Sequence, residues 1–443
     1  MITTCSVPDI LSRFHGTRIF VHAVTSISTP GINLTDEESH RALLLARAHD
    51  IVVVPSPIDA DILDYYRTLG FKVDPHRIVV VAAGTGDMPL SERLLADASA
   101  LERVASLLDD GPVGLDPFAV CDREVRLASH LGHFLGCPVT LLGTSLVVAN
   151  MVNRKDTARR RALDIGVPVT PGEIVNDVLE ADSALPDMHS LADAIRRQLA
   201  TTGRVVVKGA IGDSGSAIFI VPDESAIDGV LQAIVKRRDN VIYQVEAFLD
   251  LACAPNVTVW IDPENDEISL VNTTDQRLSE KLVFSGSIFP TTAKRCSDII
   301  EAAEVLARRL CSEGLHGWAG FDFGEYNDSS TGERQFFLSE INARYNGGLY
   351  AKALLDVLQA HQREHGHPIP AAYITENILT SPIDFTRLRA LGEVLLFDQT
   401  TGYGVVPFNP GRLKEGKISV ACLGSNISEA QQLAKEFRQR VST

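Results

Sequence analysis

The sequence predicts a mixed α/β fold fronted by a doubly wound parallel sheet, and three observations predict it. Short β-branched runs alternate with helical patterns through the first 120 residues, the arrangement of parallel strands joined by crossover helices. Further along, paired strand patterns flank tight polar turns and imply antiparallel hairpins. At 443 residues the chain exceeds what one core usually supports, so two to four domains are expected to pack together.

The elements follow in order. "RIFVHAV", a helical stretch over 36–48, "DIVVVPSP", a second helix over 59–70 and "RIVVVAAG" make the front. Gly84 and Gly86 in "VVVAAGTGDMP" follow a strand as in a dinucleotide-binding turn, but the third glycine is missing, which leaves an ordinary strand-ending loop. "LGCPVTLLG" is another short strand. "NRKDTARRRALDIGVPVTPGEIV" is a helix capped by Asp156, ended by Gly166 and Pro168, then a turn and strand.

Residues 174–202 read as charged helix, and "RVVVKGAIGDSGSAIFIV" as strand, glycine-rich loop, strand. A helix over 223–238 leads to the strand "NVIYQVEAFLD", then to a hairpin in "NVTVWIDPENDEISLVNTTDQRL" and an amphipathic helix over 297–313. "HGWAGFDFGEYNDSSTGERQFFLSEIN" is a second hairpin, followed by a helix near 350–363. The tail "GEVLLFDQTTGYGVVPFNPGRLKEGKISVACLG" reads as strands, with a terminal helix from Glu429.

Asp and Glu outnumber Lys and Arg by 57 to 41, a net charge of -16, which argues against nucleic acid or an anionic membrane as partner. No run approaches the roughly 18 to 20 apolar residues that span a bilayer, and the N-terminus lacks the pattern of a secretory signal, so cytoplasm is the expected location. Seven scattered cysteines without a C-x-x-C pair support neither a disulfide framework nor a zinc site. His22, His130, His133 and His316 show no H-E-x-x-H spacing, and Ser145 in "GTSLV" does not sit in G-x-S-x-G. Oligomeric state is open, the homodimer being the commonest soluble assembly.

Two stretches carry chemistry. Lys208 closes a strand and opens G-A-I-G-D-S-G-S-A, where glycines admit backbone amides to an anion, Ser214 and Ser216 add hydroxyls, and the lysine adds charge. That suits nucleotide phosphates; a flexible hairpin turn with an incidental lysine is the plainer reading. In "QFFLSEINARYNGG", alternation puts Glu340, Asn342 and Arg344 on one face of a strand, as the polar face of any amphipathic strand would also do. Asp322 in "GFDFGE" lies across the same hairpin, so two carboxylates and an amide oxygen form the oxygen-ligand set that magnesium prefers. Neighbouring buried carboxylates repel, so a cation is needed; Arg344 supplies part of it or faces substrate.

The order of Lys155 in "NRKDTARRR", Lys208 before the Gly/Ser loop, Glu246 in "YQVEAFL", Asp322 in "GFDF", and "EINARYNGG" resembles the ATP-grasp superfamily of carboxylate-amine ligases over roughly residues 150–350. The entire length resembles the superfamily's peptide ligases of natural-product biosynthesis. The resemblance implies an N-terminal pre-ATP-grasp α/β domain over 1–150, a grasp lobe with the glycine-rich lid over 151–245, a lobe with the magnesium site over 246–380, and a C-terminal strand-helix segment over 381–443. It implies ATP phosphates on Lys155 and Lys208 beneath a lid over 209–216 that includes Gly212, Ser214, Gly215 and Ser216. Adenine would meet Glu246 and the backbone of Ala247 and Leu249. Two magnesium ions would lie on Asp322, Glu340 and Asn342, and Arg344 at the reacting carbonyl.

Its implied partners are a small carboxylic acid and an amine or peptide. Some members carry an arginine two residues before the first metal carboxylate; here that residue is Gly320, so the duty passes to Arg344, with Arg277 and Lys281 as secondary candidates. Arg159, Arg160 and Arg161 on the helix after Lys155 read as a solvated face. Competing readings are an ATP-grasp small-molecule kinase and a non-catalytic ATP-binding regulatory protein.

Overall fold

The structure, a computed structural model, describes residues 2–27, 35–82, 88–175, 187–212, 217–237, 240–279 and 282–441. Ser214, Gly215, Ser216, Lys281, the Gly84/Gly86 turn and part of the 174–202 stretch lie outside the described residues.

The front is a five-stranded sheet in the order Ile78–Val80, Ile51–Val54, Thr17–Val21, Val113–Pro117, Val139–Leu141, with every pairing parallel. Its three central strands are buried along their whole length, as a sheet covered on both faces requires. Asp59 caps the helix Ala60–Thr68 by accepting from the Asp61 N–H. The expected helix over 36–48 is instead a 3-10 helix, Asp36–Leu44. Asp36, Ser39 and Ala42, three apart, are all buried, and a three-residue turn aligns them on one side. The Asp36 carboxylate faces inward to accept from the N–H of Thr25 and of Leu90.

The second sheet is antiparallel, in the order Gly172–Val175, Tyr243–Ala247, Val205–Gly209, Ile218–Val221. Helices Met188–Thr202 and Ile227–Arg237 cover one face, where Leu191, Ile195 and Ile234 pack with Val205, Val207, Tyr243 and Val245. The alternate residues Val206, Lys208 and Glu246 face the opposite way, into a cleft. The preceding helix, Lys155–Asp164, is not capped by Asp156: Arg154 occupies the cap position, and Asp156 in the first turn accepts from the Arg154 guanidinium. Gly166, at φ 77°, takes the chain out of the helix.

The third sheet has ten strands. Leu251–Cys253, Gly317–Asn327, Pro255–Asp262, Glu267–Leu278, Phe284–Phe289, Ala372–Leu379, Lys417–Gly424 and Gly404–Pro407 follow one another, with Arg334–Asn342 paired to Gly317–Asn327 and Thr3–Thr4 to Glu267–Leu278. Both expected hairpins are present. Helix Cys296–Ser312 buries Ile299, Ala303, Leu306 and Leu310 against one face, with Val257, Val259, Ala319 and Phe321. The other face carries Asn256, Thr258, Gly320 and Asp322. The tail differs from its reading as strands at "GEVLL", which closes the helix Phe385–Gly392 and continues as the 3-10 turn Glu393–Leu395, and at "PGRLKE", which is the 3-10 helix Pro410–Glu415. Front and tail share one core: Phe20, Val52 and Tyr66 pack in the same cluster as Leu355, Phe385 and Val405, and the Tyr66 hydroxyl donates to Pro407 O at 2.8 Å. Among the described residues no helix is long and apolar enough to cross a membrane, and all seven cysteines are free.

Candidate active site

A cleft of about 720 Å³ runs between the four-stranded sheet and the polar face of the large sheet. That is within the size range of small-molecule sites. Lys208, Glu246, Ala247 and Leu249 line it from one side; Asp322, Glu340, Asn342 and Arg344 from the other.

The hairpin register sets Asp322 directly across from Glu340, and Gly320 across from Asn342. Between Asp322 and Phe323 the register shifts, so Ser339 is an extra residue that turns into the cleft beside Glu340. Burial, and then the charge of Glu340, push the Asp322 carboxyl up to about 7. Asp322 accepts from Asn256 Nδ2 at 2.5 Å, Gln276 Nε2 at 2.7 Å and Asn342 Nδ2 at 2.9 Å. Glu340 has Lys155 Nζ at 3.4 Å. A carboxyl raised this far beside a second carboxylate is a pair short of positive charge, and with the amide oxygen of Asn342 these oxygens fit a hard divalent cation.

Lys155, buried, also donates from Nζ to Gly212 O at 2.8 Å, tying the start of the glycine loop to Glu340. Lys208 Nζ lies 2.8 Å from Glu246 Oε2 and 3.4 Å from Ser339 Oγ, so it spans the two sheets. Arg159 does not lie on a solvated face: it is buried, donating to Glu246 Oε1 at 2.9 Å and to the carbonyls of Thr170 and Gly172. Glu246 is thus held between two cations, Arg159 and Lys208. Ala247 donates its N–H to Pro171 O, and Leu249 lines the cleft next to it.

Arg344 is half-buried, donates to Tyr345 O at 3.1 Å, and holds its guanidinium carbon 5.6 Å over the Phe118 ring. Its charge is among those that lower the Asp322 carboxyl. Arg277 is engaged elsewhere: it pairs with Glu376 Oε1 at 2.6 Å and donates to Thr375 O, while its neighbour Gln276 faces the cleft. Gly320 leaves room for Asn346, since a Cβ there would come 2.9 Å from Asn346 Nδ2 and 3.2 Å from Asn256 Nδ2. Asn346 in turn caps the helix Gly347–His365, accepting from the Leu349 N–H, so the double glycine is the first turn of that helix and also lines the cleft.

The family description Pre ATP-grasp domain matches residues 39–133. The ADP complex of purK, N5-carboxyaminoimidazole ribonucleotide synthetase, superposes with a TM-score of 0.56 at 14% identity, covering 95% of this chain and 96% of that one. The enzyme from Aspergillus clavatus with ADP and 5-aminoimidazole ribonucleotide gives 0.53 at 15%, covering 97% and 99%. Biotin carboxylase from Campylobacter jejuni gives 0.63 at 14%, covering 96% and 91%. The chain has the ATP-grasp fold. At these identities the likeness is one of fold, and no curated protein sequence matches the chain.

Within this ATP-grasp cleft several residues escape sequence reasoning. Asn256 and Gln276 orient Asp322, but single amides on strands carry no pattern. Ser339 reaches the site only through the bulge. Arg159 is told from its neighbours only by Glu246, 87 residues away in sequence. Asn240 accepts from the Ile211 N–H at 2.6 Å and donates to its carbonyl at 2.7 Å, pinning the base of the glycine loop. Away from the cleft, His361, Glu364 and His365 bring ligand atoms within 4.8 Å of one another on the last helical turn, a spacing the four histidines considered above do not have.

Proposed function

We propose that the protein is an ATP-dependent ligase that activates a carboxylate as an acyl-phosphate and joins it to an amine, releasing ADP and phosphate. The observation that carries this reading is the pairing of Asp322 with Glu340, in a cleft that Lys208 lines and with Lys155 in contact with Glu340. Neighbours of the same fold were crystallised with ADP or ATP, which supports a nucleotide here.

Asp322, Glu340 and Asn342 would hold magnesium, which neutralises charge on the transferring phosphoryl group when bound. Lys155 and Lys208 bring fixed positive charge to the phosphates from both sides of the cleft, and Arg344 brings it to the carbonyl oxygen that gains negative charge. Positioning and neutralisation suffice for this chemistry, and no side-chain nucleophile is required.

The acceptor we propose is the N-terminus of a peptide, in peptide natural-product biosynthesis in the cytoplasm. Whole-length resemblance to the peptide ligase of pheganomycin biosynthesis supports it, as does a cleft that continues from the metal pair to the front domain and the tail sheet. The test is phosphate release from ATP across acids paired with amino acids and short peptides. Release that needs both partners supports the ligase. ADP formed with one substrate and a stable phosphate ester would indicate a kinase, and no turnover with any pair would remove the reading.

A further inference from the structure

The cleft does not end at the nucleotide site. Beyond Arg344 it continues past Phe118 to Glu38 and Arg41 of the front domain and Lys417 of the tail sheet. Arg344 and Arg41 both lie over the Phe118 ring, at 5.6 and 5.2 Å from its centroid, so one aromatic ring separates the site of activation from the second guanidinium.

Arg41 is built in. Its guanidinium carbon lies 4.4 Å over the Tyr350 ring, and the Tyr350 hydroxyl is fixed from behind by His22 Nδ1 at 2.6 Å. The arginine side chain is 11% exposed, and among the described residues its buried Nε has no hydrogen-bond partner. Its counter-charge is shared: Glu38 takes Arg41 at 3.2 Å, Arg412 at 2.9 Å and Lys417 at 3.9 Å. Glu415, at 2.6 Å from Arg412, is the other carboxylate, and it is exposed. Three cations around the half-buried Glu38, with only the exposed Glu415 beside it, leave one positive charge in excess inside a chain of net charge -16. Keeping such charge away from water is costly unless an anion answers it.

We propose that Arg41 and Lys417, with Arg412 taking up the charge of Glu38 between them, form a subsite for a non-reacting carboxylate carried by one of the two substrates. That carboxylate is either the free C-terminus of the amine or a second carboxyl of the acid. The assignment rests on the ligase reading, because it presumes a substrate reaching from Arg344 to Arg41. Arg344 serves the carboxyl that is activated, and Arg41 serves the one that stays intact. Planar guanidinium donors suit this task, since they bind a carboxylate at two points.

The test uses the full chain loaded with MgADP and measures binding by calorimetry. The panel is the L-amino acids, glycyl dipeptides, succinate and glutarate, each beside its carboxamide counterpart. At least one carboxylate is expected to bind about 30-fold more tightly than its carboxamide, as charge-assisted hydrogen bonds allow. Arg41→Gln should reduce that ratio to about threefold or less, Arg41→Lys should restore part of it, and Lys417→Gln should lower it without touching the aromatic box. MgADP affinity, measured in the same titrations, should stay unchanged and report an intact fold. Preference for amino acids or dipeptides assigns the carboxylate to the amine, and preference for dicarboxylates to the acid. If no member outbinds its carboxamide, or if Arg41→Gln keeps the full ratio, the subsite is overturned. Absence of turnover in the phosphate assay would instead sink the ligase reading and leave the binding result standing.

Discussion

Replacing Asp322 with asparagine should strengthen the metal-free fold while destroying the site. The carboxyl stands at about 7 against an ordinary value of 3.8, so keeping it ionised in the folded chain at pH 8 costs on the order of 4 kcal/mol. Asp322→Asn removes that cost. Three amide N–H groups donate to Asp322, and an amide in its place forces one of them to turn round, a loss of about 1 kcal/mol. The variant should therefore be more stable by about 3 kcal/mol at pH 8 without metal. Between about pH 4 and pH 7 the folded chain holds a proton that the unfolded chain has released, so this group makes the parent lose stability as pH rises through that window. Below it the advantage of the variant disappears. Urea unfolding in EDTA at pH 5 and at pH 8 measures the difference, and magnesium with ADP should reverse the order by stabilising the parent alone. A variant that is destabilised equally at both pH values would refute the argument that this carboxylate is partly desolvated beside Glu340 and short of a cation.

Three further outcomes follow from the same geometry. Glu340→Gln should reduce phosphate release by at least about 100-fold while the urea midpoint moves little, since the residue is partly exposed and its present partner, Lys155, keeps Gly212 O. Arg159→Met should cost about 3 to 5 kcal/mol in urea unfolding, because it leaves buried Glu246 with Lys208 alone, and should raise the KM for ATP. Gly320→Arg should lower ligase turnover rather than supply the arginine found in some relatives, because its Cβ would push on Asn346 and Asn256, the first capping the helix Gly347–His365 and the second orienting Asp322; steady-state ADP release measures it.

How far the site could be foreseen depends on how local its signals are. Period-two alternation brings Glu340, Asn342 and Arg344 to one face, and a hairpin turn at the right distance brings Asp322 opposite, so the carboxylate pair is legible in one stretch of chain. Alternation says nothing of a bulge, and it is the bulge that adds Ser339 to the cleft and gives Lys208 a contact across it. Nor does it say which side of a charged helix is buried. Arg159, Arg160 and Arg161 look alike in sequence, yet Arg159 meets Glu246, Arg160 pairs with Asp156, and Arg161 meets Glu313.

The Arg41 cluster is the extreme case of the same rule. Its members come from a 3-10 turn near the start, an aromatic at 118, a helix near 350, and a 3-10 helix with the strand that follows it after 410, joined only because front and tail share a core. A nucleotide site that many substrates have in common can be built from one hairpin and one loop. A site that chooses among acids and amines needs walls from several elements, which makes it invisible to motif and easy to alter without disturbing the phosphate chemistry beside it.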